Sequence, residues 1–350
     1  MPDLTDEFKE ADDALSADKR TIAALKRERE QTRKAYETLQ RKCDLLTAVD
    51  SAVVHAPTWL RPQKKTKRHT GIANLLLSDL HFDEVTPAAA INGCNAFNRE
   101  IGTLRLRRTA EKTLTVARDY ITGIDYDGIT VWLNGDVFSG VIHDELKRTN
   151  AAPIMASFDY WLDPMVACLK MLADDMLKVH CVGRVGNHGR EDRNKIYKGA
   201  VEDNWDWLYY RILQRELKDD PRFTWDLPLS VDGVVQHYDH RYMATHGNQF
   251  RGGSGISGIQ TPLALGDFRK RKRQAAIGEP YDTMLLGHFH SYMTIPGIIV
   301  NGSLKGYDEF AFEHNFGFEV PQQAFWVTTP ENGPSFHVPI RPGDRKAEGW

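Results

Sequence analysis

The spacing of apolar positions along this chain changes character near residue 71. Before residue 50 the sequence is charged, free of proline and glycine between residues 3 and 50, and its apolar residues recur at heptad spacing. Placing Phe8, Leu15, Ile22, Tyr36 and Cys43 at one seam position puts Ala11, Leu25, Leu39 and Leu46 at the other, with Asp18, Arg29 and Thr32 interrupting. This pattern predicts an imperfect coiled coil that dimerises or docks a partner rather than a helix folded onto its own domain. Beyond residue 71, short aliphatic runs alternate with stretches of helical period. Strands are predicted at residues 72–77, 129–132, 178–185, 231–236, 241–245, 282–286, 298–300, 324–327 and 336–340. Helices are predicted at 104–121, 155–177 with a break at Pro164, and 200–217. Alternation early and strands late imply an α/β fold, with a mixed sheet or two packed sheets and helices outside.

Composition narrows the class. The chain has 350 residues, 41% of them hydrophobic, enough for a sizeable core. A net charge of −3 excludes an overall basic, histone-like binder. Its four cysteines (Cys43, Cys94, Cys168, Cys181) form no CxxC pair, so buried thiols are expected rather than disulfides or a thiolate metal site. The N-terminus has no apolar signal core and no run reaches membrane length, which predicts a soluble, cytoplasmic protein. Positive charge is nonetheless concentrated locally. One run, 61–68, contains Lys64 and Lys65 and forms a linker; a second, 269–273, contains Arg269 and Arg271. The division expected is a helical extension at 1–56, a basic linker at 57–70 and a main domain at 71–345.

The candidate chemistry lies at the ends of five predicted strands. They carry Asp79-Leu80-His81, Gly135-Asp136, Gly186-Asn187-His188, His246-Gly247 and Gly287-His288-Phe289-His290. A single histidine after a strand is usually a hydrogen-bonded core or surface residue, and Gly-Asp commonly just ends a strand. Five such endings, each following an apolar run, are not explained that way. Strand ends in open α/β sheets converge on a ligand edge. Oxygen and imidazole donors without thiolate suit Mn²⁺, Fe or Zn²⁺. Two such cations about 3.5–4 Å apart need a bridging carboxylate and acidify a shared water, which can then attack phosphorus.

These five motifs, over about residues 72–303, resemble those of the calcineurin-like metallophosphoesterases. The resemblance implies a four-layer αββα sandwich, here with an N-terminal coiled-coil extension, and a centre of two divalent metal ions, manganese foremost. By position, Asp79, His81 and His290 would hold the first metal and Asn187, His246 and His288 the second, with Asp136 bridging. His188 would stand near the leaving-group oxygen as general acid or charge stabiliser. The Arg of Gly-Asp-x-x-Asp-Arg-Gly is absent, which argues against a phosphoprotein phosphatase. The acid that follows Gly-Asn-His is also absent, and Glu191 or Asp192 is the expected replacement.

Gly135-Asp136-Val137-Phe138, with Asp-x-His and Gly-His-x-His, is most similar to SbcD-type DNA repair nucleases within this family. The basic residues Lys64, Lys65, Arg269 and Arg271 point independently to a phosphate backbone. Arg251, in the glycine-rich run 247–258 after His246, is a further candidate phosphate contact. The expected activity is therefore a phosphodiesterase, a DNA nuclease foremost. A nucleotide phosphodiesterase or phosphomonoesterase, and a coiled-coil assembly protein with a vestigial site, are the alternatives. DNA is the expected partner, self-association of the N-terminal helix a second, and a partner ATPase is not expected.

Overall fold

The computed structural model describes residues 15, 18–19, 21–37, 40, 57, 59, 69–250 and 258–350. The chain divides into two units, Met1–His55 and Ala56–Trp350. In the first, residues 21–37 are helical and exposed throughout. The described seam residues Ile22, Leu25 and Tyr36 all face solvent, and Arg33 pairs with Glu30 and Glu37 along the helix. The remaining seam residues past Tyr36, and the run 61–68 with Lys64 and Lys65, lie outside the described residues, as does Arg251.

The second unit is built on two sheets. The first has six strands in the order β11-β10-β1-β2-β3-β4. These are β1 (His69–Leu77), β2 (Ile124–Leu133), β3 (Val179–Gly183), β4 (Phe223–Asp226), β10 (Gln323–Thr329) and β11 (Gly333–Ile340). β1 to β4 run parallel, and β10 joins β1 antiparallel with Ile72 opposite Thr328. The second has five, β5-β6-β7-β9-β8: β5 (Asp232–His237), β6 (His240–Thr245), β7 (Thr283–Leu286), β8 (Met293–Ile295) and β9 (Ile298–Val300). β6, β7 and β9 are mutually parallel.

Three apolar layers hold these sheets. Between them lie Leu76, Trp132, Val182, Tyr242, Leu285 and Trp326. The polar tips of the large rings are paired there: Trp132 Nε1 donates to Asn74 Oδ1 at 3.1 Å, and Trp326 Nε1 to the Tyr242 hydroxyl at 3.0 Å. On the outer face of the first sheet pack α1 (Arg99–Thr115, continued by a π turn to Tyr120), α2 (Ile154–Met176) and α3 (Trp205–Glu216). α4 (Gln260–Ala276) covers the second sheet through Leu263. The result is the expected αββα sandwich.

Three details depart from expectation. α2 runs through Pro164 without a break. The proline sits on the half-exposed side of the helix, four residues after exposed Tyr160, so the carbonyl it leaves without a donor can be solvated. The edge strands β4 and β8 were not foreseen. The domain also continues past residue 345: Glu348, in the turn Arg345–Glu348, is fully buried against Arg105. Cys168 and Cys181 are buried free thiols, as expected, and Cys94 is half-buried. No helix among the described residues is long and apolar enough to cross a membrane.

Candidate metal centre

Every proposed ligand follows a strand at the same edge of the sandwich. Asp79 and His81 come after β1, Asp136 after β2, Asn187 and His188 after β3, His246 after β6, and His288 and His290 after β7. The loops are sewn together by their backbones. Asp79 N donates to Gly135 O at 3.1 Å, Leu80 N to Asp136 O at 3.0 Å, and Gly287 N to His246 O at 2.9 Å.

Close approach explains the glycines in the motifs. A Cβ on Gly186 would stand 2.1 Å from Asp136 Oδ1, and one on Gly287 would stand 2.4 Å from Asp79 Oδ2. Each glycine therefore lets a carboxylate lie flat against the neighbouring loop. The ligands themselves are held in an uncommon conformation. Asp79, His81, Asp136, His288 and His290 all have φ between 47° and 70°. Left-handed backbone at non-glycine residues costs about 1–3 kcal/mol each and persists only where the surroundings impose it.

The donor atoms meet in three overlapping groups: Asp79 with His81 and His290; His81 with Asp136 and His188; Asp136 with His246 and His288. His81 and Asp136 each belong to two groups, so the set forms one continuous cage. Several contacts in it make sense only around a cation. His81 Nε2 and His290 Nε2 lie 3.0 Å apart, and His246 Nε2 lies 2.9 Å from Asp136 Oδ2. Asn187 Oδ1 is buried without a hydrogen-bond partner, and His246 Nε2 and Asp136 Oδ2 have only each other. An unpaired polar atom at such depth is costly, and crowded imidazole and carboxylate donors are what a divalent cation takes up. The residues present fit two metals.

The tautomers are set from behind. His246 Nδ1 donates to Asn134 O at 2.8 Å, which turns its Nε2 into the cage. Burial alone would depress this imidazole, but the adjacent Asp136 carboxylate outweighs it and pushes the pKa up to about 10 when no cation is present. His288 goes the other way, to about 4, because burial dominates. Burial likewise lowers His81 well below the usual imidazole range. His188 Nδ1 donates to Ser139 O at 2.7 Å, its own N–H donates to Asp136 Oδ1 at 2.7 Å, and burial lowers its pKa. The neutral ring is thus fixed with Nε2 available to the cleft.

Residues that sequence reasoning missed do the positioning. Asp206, on the first turn of α3, is fully buried. Its Oδ2 accepts from Asp136 N (3.0 Å) and Gly186 N (2.9 Å), and its Oδ1 from Val137 N (3.1 Å). Burial, aided by the Asp136 charge, raises its pKa to about 6. Gly189 leaves room for it: a Cβ there would stand 2.9 Å from Asp206 Cγ. The carboxylate behind the Gly-Asn-His loop is therefore Asp206, whereas Glu191 and Asp192 are exposed. Glu84 is the second. Its Oε2 faces His81 Nδ1 at 3.5 Å and accepts from Ser139 Oγ at 3.1 Å, and its Oε1 pairs with buried Lys305 at 2.5 Å. A further positioning contact comes from a residue the sequence does single out, in Asn301-Gly302-Ser303: Asn301 Nδ2 donates to Ser78 Oγ at 2.9 Å behind Asp79. No local motif announces these contacts, which bridge distant segments.

The basic cluster is placed differently. Arg271 is tied to Asp267 and to the carbonyls of Tyr281 and Asp282, at the start of β7, the opposite end from His288. Lys270 is buried on Asp232, which Arg273 also contacts. Arg269 is exposed on α4.

No protein-family model matches the chain, and no curated protein matches it. Solved structures do. A single mutant of Vps29 from Entamoeba histolytica is 14% identical, covers 76% of this chain and 98% of that one, and gives a TM-score of 0.30. Vacuolar Protein Sorting 29 from Cryptosporidium parvum is 14% identical, with 74% and 86% covered and a TM-score of 0.31. A conserved protein from Streptococcus pneumoniae, described as a predicted phosphoesterase, is 13% identical, with 79% and 99% covered and a TM-score of 0.29. Likeness at this level carries nothing about chemistry, which rests on the site's own residues.

Proposed function

We propose that this protein is a phosphoester hydrolase of the calcineurin-like metallophosphoesterase type, with two divalent cations held by Asp79, His81, Asp136, Asn187, His246, His288 and His290. The observation that carries the proposal is the convergence of Asp79, His81, Asp136, His246, His288 and His290 in overlapping donor groups, with the His81 and His290 ring nitrogens facing each other at 3.0 Å and Asn187 Oδ1 buried without a partner. Two cations bound there supply Lewis-acid charge and bring the pKa of a shared water towards neutrality. The mixture of carboxylate, amide and imidazole donors suits manganese, iron and zinc, and the resemblance to the metallophosphoesterases puts manganese first.

The chain's own groups do the rest. Asp206 and the glycine contacts hold Asp136 still, so that the scissile phosphorus and the ligand cage keep one geometry. His188, anchored by Ser139 O, offers Nε2 to the departing alkoxide and, once protonated there, hands over its proton. Glu84, paired with Lys305, stands 3.5 Å from His81 Nδ1.

We carry the reading further to phosphodiesters, and to DNA as the polymer. What supports this is the SbcD-like spelling of Gly135 to Phe138 and the basic run 61–68 that leads into β1. Self-association or partner docking through the N-terminal helix belongs to the same proposal, supported by the exposure of Ile22, Leu25 and Tyr36. The deciding experiment digests labelled single- and double-stranded DNA with Mn²⁺, beside mononucleotide and cyclic nucleotide substrates, with Asp136→Asn as the blank. We expect turnover to fall by roughly a thousandfold or more in the variant, with loss of bound metal. Equal activity in both proteins, or a purified protein that binds no divalent ion, would overturn the reading. Hydrolysis of nucleotides with none of DNA at low salt would replace the polymer by a small substrate.

A further inference from the structure

Beside the metal cage stands a surface that the ligand set does not use. After β9 and the Asn301-Gly302-Ser303 turn, residues 306–320 form a projecting loop that contains the short helix Glu309–Glu313. The loop is held by polar bonds and not by burial of its side chains. Asp308 Oδ1 caps the helix by accepting from Ala311 N at 2.7 Å, and the Tyr307 hydroxyl donates to Phe316 O at 2.7 Å. Its phenylalanines are left outside: Phe310 is 57% exposed, Phe316 56% and Phe318 55%. They form two ring groups. Phe310 lies 4.2 Å from the His314 ring and 5.8 Å from Phe316, and Tyr307 lies 5.4 Å from Phe318. Exposed rings grouped in this way mark an interaction surface.

Both ends of the loop are fastened beside metal ligands. At its start, Asp308 pairs with Lys305, which pairs with Glu84, whose other oxygen faces His81. At its end, Glu319 Oε2 accepts from the backbone N–H of Tyr292, two residues after His290. The two anchor points of the loop therefore lie on the His81 and His290 side of the cage. Their chemistry is also selective. The exposed apolar groups are almost all aromatic, and Glu309, Glu313 and Glu319 are interleaved with them. Those carboxylates repel an anionic bilayer or a phosphate backbone laid across the loop. An uncharged flat ring meets no such penalty, and base–aromatic stacking is tolerant of base identity.

We propose that the Phe310–His314–Phe316 face is a stacking platform for the nucleobase carried by the phosphoester substrate. This rests on the phosphoesterase reading and narrows it to base-bearing esters. It places the base on the side of the first metal, with the phosphate over the cage. The same chemistry serves a free nucleotide or the unstacked end of a strand.

The test measures binding of 2′-deoxyadenosine 5′-monophosphate and of 2-deoxyribose 5-phosphate to the Mn²⁺-loaded full-length protein, alongside hydrolysis of bis(p-nitrophenyl) phosphate. Wild type should bind the nucleotide about tenfold more tightly than the sugar phosphate. F310S/F316S should erase that ratio, leaving sugar-phosphate affinity and thermal midpoint unchanged. An oligonucleotide with a terminal base, compared with the same strand ending in an abasic residue, tells a strand end from a free nucleotide. If wild type binds both small ligands equally while hydrolysing the ester, the platform is refuted and the hydrolase stands. If it binds neither and hydrolyses nothing, both fall. Binding to phosphatidylcholine vesicles that F310S/F316S abolishes, without base discrimination, would assign the face to a membrane and refute the platform.

Discussion

Two stretches of this chain gather polar and charged residues, and they fare in opposite ways. At the strand ends, six of the seven candidate ligands and His188, from five loops, converge on one cage. On α4, the consecutive run 269–273 disperses. The geometry of the elements accounts for the contrast. Consecutive helical residues are turned by about 100° each, so five in a row travel right round the axis and cannot present a single face. Lys270 consequently points inward to Asp232 while Arg269 points to water, and Arg271 is taken up by Asp267 and two carbonyls. Strand ends behave otherwise. Parallel strands deliver their last residues to one edge, and backbone bonds such as Leu80 N to Asp136 O lock the loops in register. A cluster in sequence is thus weaker evidence for a site than single residues recurring at equivalent ends of different strands.

Substitutions at the cage should break this convergence. Among substitutions that leave every ligand in place, the largest effect is expected from Gly186→Ala. The new Cβ would overlap Asp136 Oδ1, and the neighbour is a ligand rather than the free end of a flexible side chain. A displacement approaching 1 Å in a metal-positioned site costs on the order of a hundredfold in rate. Steady-state turnover together with bound-metal analysis checks this, and an unchanged kcat would mean that Asp136 is not where the chemistry is. Asp206→Asn should cost less, about tenfold in metal affinity. An amide cannot accept at both positions, so one of the three N–H donors from Asp136, Val137 and Gly186 faces an N–H₂ group. Titration with Mn²⁺ reads the shift directly. Normal metal affinity in the folded variant would reduce Asp206 to a structural capping residue.

What could be read from the sequence follows the same division. Asp79-x-His81, Gly135-Asp136, Gly186-Asn187-His188, His246 and His288-x-His290 are legible because each is a local string following an apolar run. Asp206 is not, for it reaches the Asp136 loop from α3, some 70 residues further along, and its sequence neighbours Trp205 and Trp207 mark only an aromatic helix. Glu84 and Lys305 meet across 221 residues of chain, as a buried pair behind His81. Among the elements, β4 and β8 escaped notice because each is short and broken by a polar residue, whereas the equally short β9 is an unbroken aliphatic run. α4 was obscured by Pro262 and Gly266 near its start and by the basic run near its end. Pro164 misled in the opposite direction, since a proline on a solvated side of a well-buried helix interrupts one bond without ending the helix.

The last test works on the dispersed stretch and separates what its charges do. Lys270 is buried, pairs with Asp232 at 2.6 Å, and lies 3.4 Å from Thr245 Oγ1, the residue before His246. Lys270→Ala leaves Asp232 with Arg273 alone, a mostly exposed partner, and should lower stability by about 2–3 kcal/mol. Arg269→Ala removes an exposed side chain that has no ion pair among the described residues, so stability should stay within about 0.5 kcal/mol. If α4 lies away from the path of a nucleic acid, Arg269→Ala should also leave oligonucleotide affinity within about twofold and the salt dependence of binding unaltered. A reduction of the salt slope by nearly one charge would instead mean that the exposed half of the cluster touches phosphate. The helix would then divide its basic residues, the inward ones holding the second sheet and the outward ones holding substrate. That result would make dispersion itself useful, with one run of sequence serving two faces.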